Sequence, residues 1–181
     1  HEYSLNFIYQ RGEKGGLYSN DGGGPWWDWT NYDKKTLYLL GNSYFTPDLS
    51  LNTRLYYGTF YNTLIGDKTK CLNADGSASS AGFCGVSSIY DDNTLGLILT
   101  LGYDIYEDAN AKFGINTKKD THLAKDASTK AINTELKEIS TSIFVQYSQR
   151  LGVFRAVVAG SYDFIEPLNI DFKDGQGNVK D

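Results

Sequence analysis

Histidine and cysteine are scarce, with two of each in 181 residues. His1 is terminal and His122 stands alone in "KKDTHLA", so neither has the spacing of a metal-binding pair and no metal site is expected. The acidic run "YDDN" (Asp91, Asp92, Asn93) lacks the further ligands and glycine of an EF-hand loop. Positive charge is short as well. Lys and Arg number 17 against 22 Asp and Glu, a net charge of -5, and the pI is near 5.0. No basic stripe is available to hold phosphates, which argues against a nucleic-acid partner. Enzyme signatures are missing: there is no G-x-S-x-G elbow and no GxGxxG, P-loop or H-E-x-x-H. No catalytic residue, enzymatic activity or cofactor is therefore expected. Long apolar runs are missing too. Hydrophobic residues make up 40% and the mean hydropathy is -0.41, so nothing approaches the roughly 18 consecutive apolar residues of a membrane helix.

The lack of a membrane helix leaves transmembrane strands open, because a barrel strand needs only about 9–11 alternating residues. Methionine is absent altogether. The chain opens on "HEYSLNF" with no apolar leader and closes on polar "DFKDGQGNVKD". Both ends read as cut, so a single segment of a longer chain, residues 1–181, is expected.

What the sequence has in quantity is aromatic side chains, 14% of residues, with 14 Tyr and 9 Phe. Tyrosine suits a boundary where the ring meets apolar surroundings and the hydroxyl meets water. The residues also alternate. In "TLGLILTLGYDIY" (Thr94–Tyr106) Leu95, Leu97, Leu99, Leu101, Tyr103 and Ile105 form one greasy face, and most residues between them are small or polar. Period two with one apolar face marks a β-strand covered on one side. "YSLNFIYQR" repeats the pattern with Tyr3, Leu5, Phe7 and Tyr9, and "LSLNTRLYYGTFYN" with Leu49, Leu51, Leu55 and Tyr57. "EISTSIFVQYSQR" and "VFRAVVAGSYDF" supply two more such runs. "KKTLYLLGNSYF" (34–45) assigns no single face, so its register stays open.

About seven strands emerge, joined long, short, long, short, long, short. The fold class expected is all-β, an antiparallel up-and-down transmembrane β-barrel built of hairpins, here a partial barrel. Short turns on one side and long loops on the other are the habit of outer-membrane barrels and are rare in soluble sandwiches. Arg54, Lys112, Arg155 and Asp163 fall mid-strand on the polar side, where a lumen or a solvated sheet face accepts them and a soluble core does not.

Taken together, "FIYQRGEKGG", "NYDKKTLYLLGNSYF", "LNTRLYYGTFYNTL", "SIYDDNTLGLILTLGYDI" and "FVQYSQRLGVFRAVVAGSYDF" resemble the barrel portion of TonB-dependent outer-membrane receptors, importers of siderophores and other ferric complexes in Gram-negative bacteria. The resemblance covers nearly the whole chain and lies in strand texture and hairpin order. It implies a location in the bacterial outer membrane and a barrel of about 22 strands plugged by a globular domain. Its implied partners are outer-membrane lipid, the plug and remaining strands of the parent chain, TonB acting through that chain, and a ferric chelate ligand. Neither a plug domain nor a TonB box is recognisable here. Two other readings stand beside it. One is a complete eight-stranded barrel with a structural or adhesive role, and the other a soluble β-sheet carbohydrate-binding module.

Candidate ligand-binding residues lie in the long connections. "GGGPWWDW" gathers Trp26, Trp27 and Trp29, which either form an aromatic girdle at the outer interface or stack on a ligand with Arg11 and Lys14 supplying charge. Lys68 and Lys70 either attract an anionic complex or are solvated loop charges. Arg54 points toward the lumen, as a partner for a plug carboxylate or for a salt bridge in the wall. Cys71 and Cys84 bracket the Gly/Ser/Ala-rich run "CLNADGSASSAGFC", which reads as a disulfide-stapled loop in an oxidising or cell-surface setting.

Overall fold

The structure is a computed structural model that describes residues 1–15, 27–73, 75–78 and 85–172, with the backbone alone at Trp27 and Lys70. Alternation turns into strands throughout. β1 is Glu2–Gly15, β2 Trp27–Tyr44, β3 Leu49–Gly66, β4 Ser88–Tyr106, β5 Ala109–Asp126, β6 Ile132–Leu151 and β7 Phe154–Phe172. They form one antiparallel up-and-down sheet in the order β1 to β7. The sheet is open: β1 and β7 are its edges and do not touch. Among the described residues the helical structure is one 3₁₀ turn, Lys68–Lys70, and no helix is long and apolar enough to cross a membrane.

Residues directly opposite in an antiparallel pair share a face, so the register sorts the whole sheet. The row Tyr3–Gly41–Thr53–Leu99–Ile115–Ile143–Tyr162 runs unbroken across seven strands. The next residue along each strand gives Ser4–Leu40–Arg54–Ile98–Asn116–Ser142–Asp163 on the opposite face. One face is therefore apolar and the other polar. The strand left open by sequence now has a register: Leu37 and Leu39 join the apolar face, Tyr38 and Leu40 the polar one.

No second layer covers either face among the described residues, and the buried apolar residues there are Cys71, Ile89 and Ala109. Large side chains of the apolar face stay open instead, with Leu5 68%, Phe7 64%, Val158 72% and Tyr162 71% exposed.

The apolar face has two borders. Toward the long connections it ends at the row Tyr9–Lys35–Thr59–Asn93–Thr121–Lys137. Beyond that row come ion pairs, Lys35 with Asp33 at 3.4 Å, Lys125 with Asp91 at 2.7 Å, and Lys137 with Glu135. Toward the short turns it ends at tyrosines. The hydroxyls of Tyr106 and Tyr147 lie 3.4 Å apart, and Tyr147 donates to Gln149 Oε1 at 2.9 Å.

The short turns are staggered. β3 starts at Leu49 opposite Tyr103, and β4 runs three residues further, to Tyr106. β5 starts at Ala109 opposite Gln149, and β6 runs two residues further, to Leu151. Each hairpin thus turns two or three residues beyond the one before it, about 1–1.5 residues per strand. With about 3.3 Å per residue and about 4.8 Å between strands, turns sharing one plane require strands leaning about 35–45° from its normal.

Loop lengths depart from the expected alternation in one place. The fifth connection, the third of those expected to be long, is the five-residue turn 127–131 between β5 and β6. Asp126 makes the turn possible. Its Oδ1 accepts from the amides of Ser128 at 2.9 Å and Thr129 at 2.7 Å, an Asx-type closure. Lys130 takes the left-handed conformation, φ 62°. Asp126 and the strand beyond Ile132 are polar, and their alternation of charged and small residues reads as loop until the cross-strand pairs are counted. The first connection is also shorter than expected, because β1 continues to Gly15 and β2 begins at Trp27.

Candidate functional site

The polar face carries the side chains with chemistry. Near the border with the long connections, His122 Nδ1 and Asp92 Oδ1 lie 2.6 Å apart, and the imidazole stacks on Tyr90 with centroids 5.9 Å apart. The register explains the pairing, since Asp92 and His122 are directly opposite on β4 and β5. One row further, Asp120 accepts from Thr94 Oγ1 at 2.5 Å and from Lys118 Nζ at 2.5 Å. His122, isolated in the sequence, is therefore held by a carboxylate 30 residues away. No group of His, Cys, Asp and Glu suited to a metal ion occurs among the described residues.

Among the described residues this face has at least two hollows. The larger, about 420 Å³, is lined by Tyr32, Lys34, Tyr38, Tyr56, Gly58 and Phe60, together with Asp92 and Thr94. A second of about 320 Å³ is lined by Asn42, Asn52, Arg54, Ile98 and Thr100. Arg54 accordingly sits on the polar face as expected from the sequence, but no salt bridge joins it to another described residue.

The expected loop site divides. A bulge at Thr30 shifts the β2 register between Trp29 and Asn31, which places Trp29 opposite Lys14 and Leu64. Re-aiming one side chain is what a bulge does, and here it turns Trp29 onto the polar face. Lys14 Nζ then lies 5.2 Å from the Trp29 ring centroid, a cation–π contact. An aromatic girdle on the apolar face is therefore not the role of Trp29. Arg11 does not join them, being opposite Asp33 on the apolar face. Lys68 is exposed in the 3₁₀ turn, whose start is capped by Asp67 Oδ1 accepting from the Thr69 amide at 2.9 Å. For Lys70 and Trp27 only the backbone is placed, in the 3₁₀ turn and β2. Trp26 lies outside the described residues.

Cys71 is disulfide-bonded and fully buried. The sequence offers one other cysteine, Cys84, which lies outside the described residues. Beside it, Leu72 bridges to Ala78 and the Asn73 amide donates to Ser77 O at 2.8 Å. Asp75 closes this small ring. Its carboxyl is held below the ordinary carboxylate range by hydrogen bonds from the Ser77 hydroxyl at 2.6 Å and the Ser77 amide at 2.9 Å.

Sequence reading missed the aromatic hollow and the His122–Asp92 pair. Tyr56 and Gly58 were visible as neighbours on the polar side of their strand, but Tyr38 and Lys34 belong to the strand whose register was open. Comparison of the chain with protein-family models, with curated proteins and with solved structures returns no match. Function is therefore argued from residues and geometry.

Proposed function

We propose that this sheet is part of the wall of an outer-membrane β-barrel, within a TonB-dependent receptor that binds and imports a ferric-chelate-like ligand. The observation that carries the barrel reading is the stagger of the short turns. A lean of about 35–45° is the tilt of transmembrane barrel strands. The apolar face supports the same reading. From Leu95 to Ile105 it spans ten residue steps of β4, about 33 Å along the strand, or about 25 Å when projected through such a tilt. That is the height of the lipid-facing band of such barrels. Tyrosines at one border and paired charges at the other suit the two interfaces.

In lipid, every backbone group must be hydrogen-bonded, so the open edges of β1 and β7 call for further strands of the parent chain. The polar face then lines the lumen, where Arg54, Lys118 and Asp120 are acceptable. The receptor assignment is supported by strand texture and hairpin order. The strand ends Gly15, Trp27, Gly66 and Ser88, between which the two longest connections run, lie on the side away from the turns 45–48, 107–108 and 152–153, where ligand loops belong.

Fractionation and uptake test this together. The native protein is expected in the outer-membrane fraction and to need detergent for extraction. Loss of its gene is expected to reduce growth on a chelated iron source. Recovery of a monomer from detergent-free buffer contradicts the barrel, and unchanged growth on every ferric chelate tried contradicts the import role.

A further inference from the structure

Gly58 lies mid-strand, where glycine weakens a sheet and often marks a site of close approach by a ligand or another backbone. Nothing in the packing of the described residues accounts for it. Its φ is not positive. A Cβ built there meets Thr36 at 3.7 Å and the Lys35 carbonyl at 3.8 Å, which are ordinary contacts. Gly96 and Gly114 on the same face differ: their Cβ positions fall 2.2 Å from the Tyr56 ring and 2.1 Å from the Phe144 ring. Those two glycines are covered by rings of their neighbours, whereas Gly58, though half-buried, has no ring atom among the three nearest its Cβ position.

This ring-free floor is walled by rings on both sides. Toward the short turns stand Tyr38 and Tyr56, with centroids 6.0 Å apart. Toward the long connections stand Tyr32 and Phe60, edge to face at 4.9 Å. Tyr56 is braced over Gly96, so that wall is held in place. The hollow of about 420 Å³ falls within the range of small-molecule sites. One cation and one anion line it. Asp92 at the rim is engaged by His122, while Lys34 is exposed and forms no ion pair with a described residue.

We infer that the Gly58 hollow binds a flat ring carrying a negative charge, an aromatic carboxylate or phenolate. The ring lies on Gly58 between the two aromatic pairs, and the charge meets Lys34. This concerns the polar face alone and does not need lipid on the other face, so a failed membrane fractionation and a failed binding assay are distinguishable.

The test is fluorine NMR of 4-fluorobenzoate added to the full-length protein, with neutral 4-fluorobenzyl alcohol as control. Gly58→Leu has room for its Cβ and fills the hollow, so benzoate affinity is expected to fall at least tenfold with circular dichroism unchanged. Lys34→Gln is expected to lose at least threefold for benzoate and nothing for the alcohol. Should Gly58→Leu not fold, Tyr38→Leu, which removes one wall ring, is expected to show the same loss. Absence of benzoate binding to the native protein overturns the proposal. So does full binding in a folded Gly58→Leu or Tyr38→Leu variant, or equal affinity for acid and alcohol.

Discussion

Leu99→Arg is expected to destabilise the protein by about 2–4 kcal/mol in lipid vesicles, while Thr100→Arg costs about 0.5 kcal/mol. The two positions are adjacent, so strand propensity and height along the strand are nearly the same. What differs is the face. Leu99 stands in the row between Thr53 and Ile115, deep within the apolar band, and Thr100 stands between Asn52 and Gly114 on the polar side. In the proposed barrel, arginine at Leu99 must carry its charge through hydrocarbon or pull it to an interface, whereas at Thr100 it meets a polar surface. Guanidinium unfolding of the vesicle-inserted protein reads the difference. Equal costs at the two positions contradict the assignment of faces.

The second large effect concerns the rings that cover glycines. Gly96→Val places a Cβ 2.2 Å from Tyr56 Cζ, so the ring must swing away and the polar face repacks, at about 1–3 kcal/mol. The clash is with the far end of one side chain rather than with backbone. Tyr56→Ala should therefore relieve it. The double variant is expected to be more stable than the sum of the single changes predicts, by about 1 kcal/mol. Strict additivity in the same unfolding assay contradicts the placement of the ring over Gly96.

Much of this architecture was legible in the sequence because period two is a local signal. Leu95 to Ile105 declare a face without help from any neighbour, and so do Tyr3 to Tyr9. The segment 34–45 does not. Leu37, Tyr38, Leu39 and Leu40 are all large, and only pairing with β1 and β3 decides which pair looks which way. The turn at 127–131 was hidden for a related reason. Its flanks, "HLAKD" and "INTELKE", are strands rising past the apolar band, where both faces are polar and alternation disappears.

Site features were harder to read for reasons of geometry. Trp29 changes face because of one extra residue at Thr30, and no composition rule announces a bulge. His122 finds Asp92 across a hairpin, a partner that sequence distance conceals. Of the two charges named beside the tryptophans, Lys14 meets the Trp29 ring, whereas Arg11 lies on the other face. The open hollow at Gly58 required knowing that Tyr38 and Tyr56 stand side by side.

The most direct test of the central claim is a nitroxide scan along β4 in the native protein, one label at a time from Leu95 to Asp104. Power saturation by oxygen reports lipid, and saturation by a water-soluble nickel chelate reports water. The expected result is strict alternation, with Leu95, Leu97, Leu99, Leu101 and Tyr103 favouring oxygen and Gly96, Ile98, Thr100, Gly102 and Asp104 favouring the chelate or neither. Chelate access at Leu97 and Leu99 equal to that at Ile98 and Thr100 would mean that the apolar face does not meet lipid.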